Sequence, residues 1–466
     1  MTHPTILWHR RDLRLSDLPM LTAARENGAV IPVFIRERKV DALGTAAAWR
    51  MGLSVAAHGK ALEEIGSRLI LRSGNALEVL CELIRETGAG AVYWSREYDP
   101  VSRERDSEVK AALRDQGIEA RSFPGKLLWE PWQVKTQSGE PYKVYSPMWK
   151  SMKDTSPGEE CPRPRSLDAP ESWPESEALG DWALGVAMDR GAAVVKPYAV
   201  VGEKAAHTRL ATFARERVDD YKASRDMLAQ PATSGLSENL TYGEISPRQC
   251  WNAVPDSGEG AVHFRKELAW REFAWQLGYH FPRIFESEWR EEWAAFPWKS
   301  DARAAEPWAW KKGCTGLDVV DAAMRELYVT GTMHNRARML VASYLTKHMM
   351  TDWRIGMAWF ADTLIDWDEA SNAMGWQWVA GCGPDAAPYF RVFNPETQAE
   401  KFDPKGSYRR RWLPQGDSPS DTALSYYEAI PRHWGLEPGQ DRPAKPIVGL
   451  QEGREAALTA YQDRAF

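Results

Sequence analysis

Polar side chains and tryptophans interrupt residues 331–378, a stretch that is otherwise typical of buried helices. If a helix begins at Asn335, its 3.6-residue period places four residues on one face: Asn335, Arg338, Met339 and Ala342. The opposite face then carries apolar residues, namely Leu340, Val341, Tyr344 and Leu345. The sequence therefore predicts a functional site on one side of this helix and hydrophobic core on the other.

Two acidic residues, Asp366 and Asp368, follow this helix along the chain. A buried arginine or carboxylate without a partner is costly to desolvate, so the two kinds of side chain are expected to pair. We predict an ion pair between Arg338 and Asp366.

An amide and two indoles lie just beyond these acids. Asn372 and Trp376 are four residues apart, which is one helical turn, and Trp378 follows two residues later. This set is poorly suited to acid–base hydrolysis. It is well suited to contact with a flat aromatic cofactor.

A second group of candidate residues lies in the segment FRKELAWREFAWQLGYHF at 264–281. Glu267, Trp270 and Arg271 stand at i, i+3 and i+4, so they share one face of a helix. The commoner arrangement of this kind is a surface Glu–Arg pair beside a core tryptophan. The alternative is one wall of a binding pocket.

A cluster of small polar residues precedes a helical pattern near residue 237. Its members are Thr233, Ser234, Gly235, Leu236 and Ser237. Hydroxyl groups, a glycine and helix N-terminal amides are the groups that bind a diphosphate. Taken alone, such a cluster is most often a simple helix cap.

The elements that must position these residues are of two kinds, and the first 125 residues alternate between strand and helix patterns. Strands are predicted within 5–9, 29–35, 67–74, 91–98 and 119–125, and helices within 46–65, 75–87 and 103–116. Such alternation indicates an α/β fold with a doubly wound parallel sheet. Neither a GxGxxG fingerprint nor a phosphate-binding loop ending in GK[ST] is present, so neither a dinucleotide fingerprint nor an NTPase is indicated.

The strand pattern then stops, and Pro, Ser, Glu and Gly accumulate. We predict an α/β domain at 1–127, a connector at 128–195 that runs over the surface, and an all-helical domain at 196–466.

The composition excludes several classes of protein. The five cysteines are widely separated and no Cys or His cluster has ligand spacing, so no metal site and no disulfide framework is expected. The N-terminus lacks a long apolar segment and no run of eighteen apolar residues occurs, which predicts a cytoplasmic protein without a membrane partner. A net charge of −6 restricts contact with nucleic acid to a local basic patch. Tryptophan is abundant, at 23 residues, and most of these are expected in the core.

These motifs together resemble the cryptochrome/photolyase family, and its cyclobutane pyrimidine dimer (CPD) photolyases more closely than its photoreceptors. The C-terminal matches are MHNRARM at 333–339, LID at 364–366, Asn372, GWQW at 375–378, DAAPYF at 385–390 and FNP at 393–395. Earlier matches are WHRRDLRLSD at 8–17, TSGLS at 233–237 and ELAWREF at 267–273.

The resemblance implies an α/β antenna domain followed by an all-α FAD-binding domain. The implied activity is repair of pyrimidine dimers in DNA by light-driven electron transfer from reduced FAD, with the protein acting as a monomer and without a metal. Contacts to FAD are implied for Tyr221, the 233–237 cluster, Arg271, Arg338, Asp366, Trp367, Asp368 and Asn372.

The resemblance also assigns roles to individual side chains. Catalytic roles are implied for Glu267, Asn335, Met339 and Asn372, of which Asn372 faces the flavin N5. Contacts to the lesion or its DNA are implied for Arg225, Glu267, Trp270, Asn335, Arg336 and Trp378. A chain of three indoles that reduces the flavin is implied for Trp298, Trp353 and Trp376. We further expect burial to favour a protonated Glu267.

Three positions favour repair over signalling. Plant cryptochromes carry Asp at the position of Asn372, Val or a similar residue at that of Met339, and Tyr at that of Trp378. Paired histidines at 334 and 335 mark the branch that repairs (6-4) photoproducts, and here only His334 is present, which favours the cyclobutane lesion. The alternatives are a blue-light photoreceptor and a flavin electron-transfer protein, the second of which gives Glu267 and Trp270 no task.

The antenna pigment is the least specified feature. The folate-binding pattern of the family places Asn-Glu before an arginine, whereas YDPVSRERD has Val101 and Ser102 there. This form is seen in plant cryptochromes and class III photolyases. We expect methenyltetrahydrofolate between the domains, or no antenna.

Overall fold

A five-stranded sheet forms the first part of the computed structural model, which describes residues 3–385, 390–415 and 418–464. The strands are β1 (Thr5–His9), β2 (Val30–Arg36), β3 (Ile70–Ser73), β4 (Ala91–Ser95) and β5 (Glu119–Phe123). Their order is β3-β2-β1-β4-β5, and every neighbouring pair is parallel. The predicted doubly wound sheet is confirmed: four strands lie inside their predicted ranges, and β2 ends one residue beyond its range, at Arg36.

The central strands are apolar on both faces because helices cover the sheet on both sides. Along β1, Ile6 and Trp8 belong to one core cluster and Leu7 to another, as the alternation of side chains across a strand requires. The carboxyl ends of all five strands meet at one edge, which is where ligands bind in open α/β sheets.

Five helices accompany the sheet. They are α1 (Pro19–Glu26), α2 (Arg38–Asp41), α3 (Thr45–Glu63), α4 (Ala76–Thr87) and α5 (Pro100–Asp115). The three predicted helices correspond to α3, α4 and α5. The sequence did not indicate α1, because its eight residues are too few to repeat the apolar pattern over several turns.

The segment 128–195 is only partly a surface connector. It contains α6 (Tyr145–Met152), 3₁₀ turns at Leu179–Trp182 and Val186–Met188, and α7 (Gly191–Val195). Residues 153–178 have neither helix nor strand and are mostly exposed, as predicted. By contrast, α6 buries one face in the same core cluster as residues of the helix Glu259–His280.

All the longer regular elements in the rest of the described chain are helices. They are α8 (Glu203–Glu216), α9 (Tyr221–Ser224), α10 (Ser237–Thr241), α11 (Pro247–Asn252), α12 (Glu259–His280), α13 (Ala305–Lys311), α14 (Asp318–Thr330), α15 (Asn335–Ser343), α16 (Trp353–Thr363), α17 (Glu369–Ala380), α18 (Pro395–Phe402), α19 (Ser407–Trp412), α20 (Asp421–Ala429) and α21 (Leu450–Gln462). Within the three described ranges no strand follows Phe123, only isolated bridges. The predicted helical second half is confirmed.

The helix α15 starts at the residue where the sequence predicted it. Leu340 and Val341 are buried as expected, whereas Asn335 is exposed and Met339 is half-buried. The prediction that Ala342 belongs to the site face is wrong, because it is 4% exposed and packs in the main core. The second half of α15 runs into the bundle and continues as a buried π-helical turn at Tyr344–His348, so neither face stays open.

A buried charge network joins the two halves of the molecule. Arg50 of α3 is fully buried, and its Nε donates to Glu238 Oε2 at 3.0 Å. Its Nη2 donates to Glu244 Oε2 at 2.7 Å, and the guanidinium lies over the Tyr242 ring. The Tyr242 hydroxyl donates to the carbonyl of Ile365 at 2.8 Å. The α/β half thus fixes the position of α10 and of the segment that carries Asp366.

Candidate functional site

The ion pair predicted between Arg338 and Asp366 is present. Arg338 Nη2 donates to Asp366 Oδ2 at 2.7 Å, and the same oxygen accepts from the Ser237 hydroxyl at 2.7 Å. The Asp366 side chain is 1% exposed and that of Arg338 is 27% exposed. The other carboxylate oxygen, Oδ1, is buried without a partner among the described residues, which leaves it able to accept from a ligand.

The polar cluster at 233–237 lies directly beside this pair. Gly235 has a φ of +66°, a left-handed conformation that suits glycine, and its carbonyl accepts from Arg209. Ser237 begins α10, whose N-cap is Leu236. Hydroxyl groups, an exposed glycine and the guanidinium of Arg338 form a set that fits the diphosphate and ribose of a dinucleotide.

Asp368 is engaged within the protein. Its Oδ1 caps α17 by accepting from the backbone of Ser371 at 2.9 Å, and its Oδ2 accepts from Trp275 Nε1 at 3.0 Å. Burial opposes its ionisation, but Arg271 and Lys126 outweigh this and hold the pKa of Asp368 below its usual value. Two predicted cofactor contacts, Asp368 and Arg271, are therefore close enough to stabilise each other's charge.

Trp367, another predicted cofactor contact, lies at the boundary between the two halves. Its carbonyl accepts from Arg11 Nη1 at 3.4 Å, and the Arg11 guanidinium is 5.5 Å from the centre of its ring. The segment next to Asp366 is thus held by the β1 side of the sheet.

The orientation of the Asn372 amide is set by α16. Asn372 Nδ2 donates to the carbonyl of Met357 at 3.0 Å. The amide carbonyl oxygen is therefore the atom available to accept a hydrogen bond from a ligand. We call Thr233–Ser237, Arg338, Asp366 and Asn372 the cradle.

Trp376 packs deep in the bundle, one turn beyond Asn372. Its ring centre is 5.0 Å from that of Phe360 and 6.0 Å from that of Trp310. A Cβ added at Gly356 would lie 2.0 Å from the Trp376 ring. The absence of a side chain at Gly356 therefore allows Trp376 to pack against α16, one turn from Trp353.

The other two predicted chain members lie on adjoining segments. Trp353 begins α16 and is fully buried, and Trp298 lies against Phe296 with ring centres 4.5 Å apart. A backbone bridge at Lys299 joins the segments, with Lys299 N donating to the carbonyl of Met350 at 2.8 Å. The structure brings the three segments together in the order 376, 353, 298, and electron transfer along them stays a prediction.

A second polar group lies on α12. Arg225 Nη1 donates to Glu267 and also contacts His263 Nε2 at 3.1 Å. The Glu267 side chain is 31% exposed. Glu267 is thus half-buried and paired with a cation, and the protonation expected for it stays a prediction.

Trp270 lies one turn along the same helix, on the face of Glu267. Its ring stacks on Tyr145 of α6, with ring centres 3.7 Å apart and planes 6° apart. Glu267 and Trp270, with Arg225, form what we call the α12 wall. Trp378 is half-buried and packs against the main core.

Tyr221, predicted as a cofactor contact, is 5% exposed and lies behind this wall. Its ring meets those of Phe213 and Phe264 edge-on, and Arg225 lies 5.4 Å from its centre. Burial raises the pKa of Tyr221. Tyr221 therefore packs beneath the α12 wall and supports the side chain of Arg225.

Arg336 also has an internal partner. Its Nη2 donates to Asp226 Oδ2 at 2.6 Å, and the Asp226 side chain is 34% exposed. The consecutive residues Arg225 and Asp226 therefore join α12 to α15, because one pairs with Glu267 and the other with Arg336. The pair Arg225–Asp226 thus connects the α12 wall to α15, the helix that carries Arg338 of the cradle.

Sequence reasoning missed three residues of this site. Asp226 could have been suspected from its position next to Arg225, and His263 from its position four residues before Glu267. No local signal points to Tyr145, because its partner Trp270 is 125 residues away. Residues 386–389 of the DAAPYF match lie outside the described residues.

Two further features lie in the α/β half. A small cleft opens at the carboxyl ends of the strands, lined among others by Arg10, Arg11, Glu37, Lys39, Glu97 and Arg105. Near α5, Trp132 is 40% exposed, and its ring centre lies 5.7 Å from that of Tyr279. The guanidinium of Arg103 lies 3.8 Å from the centre of the Tyr279 ring. We call Trp132, Tyr279 and Arg103 the aromatic shelf.

No helix within 3–385, 390–415 or 418–464 is both long and apolar enough to cross a membrane. Across the same ranges, no group of three or more His, Cys, Asp or Glu side chains is arranged to hold a metal ion.

A parallel sheet joined to a helical bundle that contains this cradle defines a two-domain flavoprotein. Residues 5–166 match the family model described as DNA photolyase, and residues 264–463 match that of the FAD binding domain of DNA photolyase. The chain therefore belongs to the cryptochrome/photolyase family, and its helical half is an FAD-binding domain.

Individual relatives agree with this assignment. The deoxyribodipyrimidine photo-lyase of Agrobacterium fabrum is 44% identical over 99% of this chain and 98% of its own length. Cryptochrome-2 of Arabidopsis thaliana is 34% identical over 99% of this chain and 79% of its own. The crystal structure of a class III photolyase from Agrobacterium tumefaciens superposes with a TM-score of 0.91 at 43% identity, covering 99% of this chain and 98% of that one.

Proposed function

We propose that this protein is a CPD photolyase, an enzyme that uses light and reduced FAD to split cyclobutane pyrimidine dimers in DNA. The observation that carries the proposal is the α12 wall. A protein that only bound a flavin would not need a half-buried Glu–Arg pair and a partly exposed Trp on one helix face. Similarity to a photo-lyase along the full chain supports the same reading.

The residues of the cradle fit FAD. Thr233 and Ser234 supply hydroxyl donors, Ser237 holds Asp366 in place, and Arg338 supplies the cation that a diphosphate needs near Asp366. Asn372 offers a carbonyl oxygen that can accept a hydrogen bond from a protonated ring nitrogen, and this oxygen adds no charge to the site. When bound and reduced, the cofactor supplies the electron for repair.

The α12 wall and the start of α15 fit an everted pyrimidine dimer. Bases that react in DNA are flipped out of the stack, and such bases pack on aromatic faces while their polar edges form hydrogen bonds. Trp270 and Trp378 offer the faces, and Glu267 and Asn335 offer the polar groups. Arg225 and Arg336 fit the flanking phosphates, and Met339 lies half-buried one turn from Asn335.

The decisive experiment uses the purified protein with bound, chemically reduced FAD. UV-irradiated oligothymidine is added, and the recovery of thymine absorbance is followed under blue light, with dark samples and unirradiated oligonucleotide as controls. Recovery in the light alone supports photolyase activity. A light-induced change of the flavin spectrum without recovery would identify a photoreceptor instead.

The role of Glu267 can be separated from cofactor binding. In Glu267→Gln, we expect a lower yield of repair per absorbed photon and an unchanged flavin content, because the residue contacts Arg225 and not the cradle. Unchanged yield would remove Glu267 from catalysis. His263→Gln, which alters the other contact of Arg225, serves as the matched control.

We also propose that the aromatic shelf binds methenyltetrahydrofolate as an antenna. Trp132 and Tyr279 offer flat surfaces to a pterin, and Arg96 and Arg103 offer cations to its glutamate tail. Reconstitution with the folate tests this: Trp132→Ala should lose the bound pigment and keep the flavin. Retention of the pigment in Trp132→Ala, with loss on Arg105→Ala, would place the antenna in the strand-end cleft.

A further inference from the structure

One face of the Trp270 indole is fully covered by the Tyr145 ring. The 3.7 Å separation of the two ring centres and the 6° angle between their planes leave no room for a third ring between them. Phe273 meets the same indole edge-on, with ring centres 5.7 Å apart and planes at 75°. Trp270 remains partly exposed, and the face away from Tyr145 is the one on which a further ring could stack.

Tyr145 is itself held firmly against α12. Its hydroxyl donates to the carbonyl of Lys266 at 2.8 Å, and the residue is 7% exposed. Burial, reinforced by the nearby carboxylate of Glu267, raises the pKa of Tyr145. The phenol therefore stays protonated and remains a hydrogen-bond donor.

The helix that carries Tyr145 is anchored along its whole length. Tyr145, Met148 and Met152 are buried along one face of α6 and share a core cluster with Ala269 and Phe273 of α12. The ring and the hydroxyl of Tyr145 thus contact two positions of α12 four residues apart, Lys266 and Trp270. These positions flank Glu267.

We propose that Tyr145 is a positioning residue for recognition of the DNA lesion. It fixes the Trp270 indole in one orientation, so that the open face is ready to stack on an everted pyrimidine dimer. This inference rests on the proposed function. The physical gain is preorganisation. The indole already loses its side-chain entropy when the protein folds, so binding of the lesion does not have to order it. A segment of the connector therefore shapes the substrate site.

The test compares dissociation constants for an oligonucleotide with one thymine dimer and for the same undamaged strand. In Tyr145→Leu, binding of the dimer should weaken about three- to tenfold, the range that corresponds to loss of one aromatic pair. Binding of undamaged DNA and flavin content should not change. Tyr145→Phe keeps the stack and should retain most of the affinity. Tyr142→Leu, the same change in the same core cluster, is the matched control.

A double-mutant cycle with Trp270→Ala separates positioning from simple packing. If Tyr145 acts through Trp270, Tyr145→Leu has no further effect on dimer binding once the indole is gone. An equal loss in both backgrounds, or wild-type dimer affinity in Tyr145→Leu, would overturn the inference. A thermal melt of each variant shows whether it is folded. Failure of the proposed function is distinguishable, because the wild-type protein would then show no preference for the dimer.

Discussion

The cradle and the α12 wall are built from the same kinds of side chain but differ in how accessible the carboxylates of their ion pairs are. In the cradle, Asp366 is 1% exposed and is bonded to both Arg338 and Ser237. At the wall, Glu267 is 31% exposed, and Asp226, which follows Arg225 and pairs with Arg336, is 34% exposed. Buried pairs are costly to break, whereas accessible ones contribute little to stability.

This difference matches two different tasks. A cofactor that stays bound needs a site whose geometry is fixed before binding, and burial of Asp366 provides this. A DNA backbone that binds and leaves needs cations that can change partners. Arg225 and Arg336 hold accessible carboxylates in this structure, and phosphates can compete for them.

The largest effect is expected when the buried pair is broken. Asp366→Ala leaves Arg338 and Ser237 without their acceptor, and the apoprotein should lose about 3 kcal/mol in free energy of unfolding. FAD should bind about tenfold more weakly or worse, because a charge-assisted bond is worth roughly 1.5–3 kcal/mol. Urea denaturation and flavin titration measure the two effects.

The surface pair of Glu119 and Arg121, with both side chains half exposed, provides the control for this change. Glu119→Ala should alter the free energy of unfolding by less than about 0.5 kcal/mol. Equal losses in the two variants would show that the cradle is no better protected than the surface.

The next effect tests how tightly the bundle is packed behind the cradle. In Gly356→Ala the new methyl overlaps the Trp376 ring, which must move, at a cost of about 1–3 kcal/mol. Photoreduction of oxidised FAD should slow, since Trp376 leaves its position. Gly59→Ala in α3 meets only Leu69, at 3.9 Å, and should instead stabilise the protein by about 0.5–1 kcal/mol.

The two regions should respond to pH with opposite sign. The pKa of Asp368 is lowered in the folded protein. Its contribution to the free energy of unfolding is therefore present above the unfolded pKa near 4 and is lost as pH falls below that value. Burial raises the pKa of Glu272, behind the α12 wall, to about 7 despite the nearby Arg271. The contribution of Glu272 to the free energy of unfolding is complete below about pH 4.3, the unfolded pKa, and is lost as pH rises towards 7.

Glu272→Gln therefore should flatten the fall in stability between about pH 5 and 7, where one proton accounts for at most about 1.4 kcal/mol per pH unit. Urea midpoints at three pH values measure the slope. Glu259→Gln, at the exposed start of the same helix, should keep the wild-type slope. A wild-type slope in Glu272→Gln would contradict a protonated carboxyl at this position.

The smallest effect is expected at an accessible pair. Asp226→Asn releases Arg336, so affinity for undamaged DNA should rise about two- to fivefold at low salt and less at high salt. Asp219→Asn, at an exposed position nearby, makes the same change in net charge without releasing an arginine. If both variants gain equally, the effect comes from overall charge and not from Arg336.

Local patterns were sufficient to predict most of the fold and one part of the site. Strands such as β1 and β4 are continuous apolar runs, and parallel pairing follows from the alternation with helices. The Arg338–Asp366 pair could be predicted because two opposite charges in apolar helical sequence require each other. The family resemblance supplied the cofactor.

The rest depended on contacts between distant segments. Ala342 is small and lies at a site-facing position, and only the path of α15 into the bundle shows that it is buried. The partners of Arg225 and Arg336 are set by the tertiary position of one turn, Arg225–Asp226. Similarly, no periodicity in the connector relates Tyr145 to Trp270. Such contacts leave no trace in spacing or composition.

The buried position of Arg50 has a consequence for any attempt to divide this protein. Its guanidinium is the shared cation of Glu238 and Glu244, which belong to the other half of the chain. A fragment that began after the connector would keep Arg209 for Glu238 but would leave Glu244 with no cation from α3. We therefore expect the flavin half alone to be less stable than the whole chain, and co-expression of both fragments to be the better route to a functional split protein.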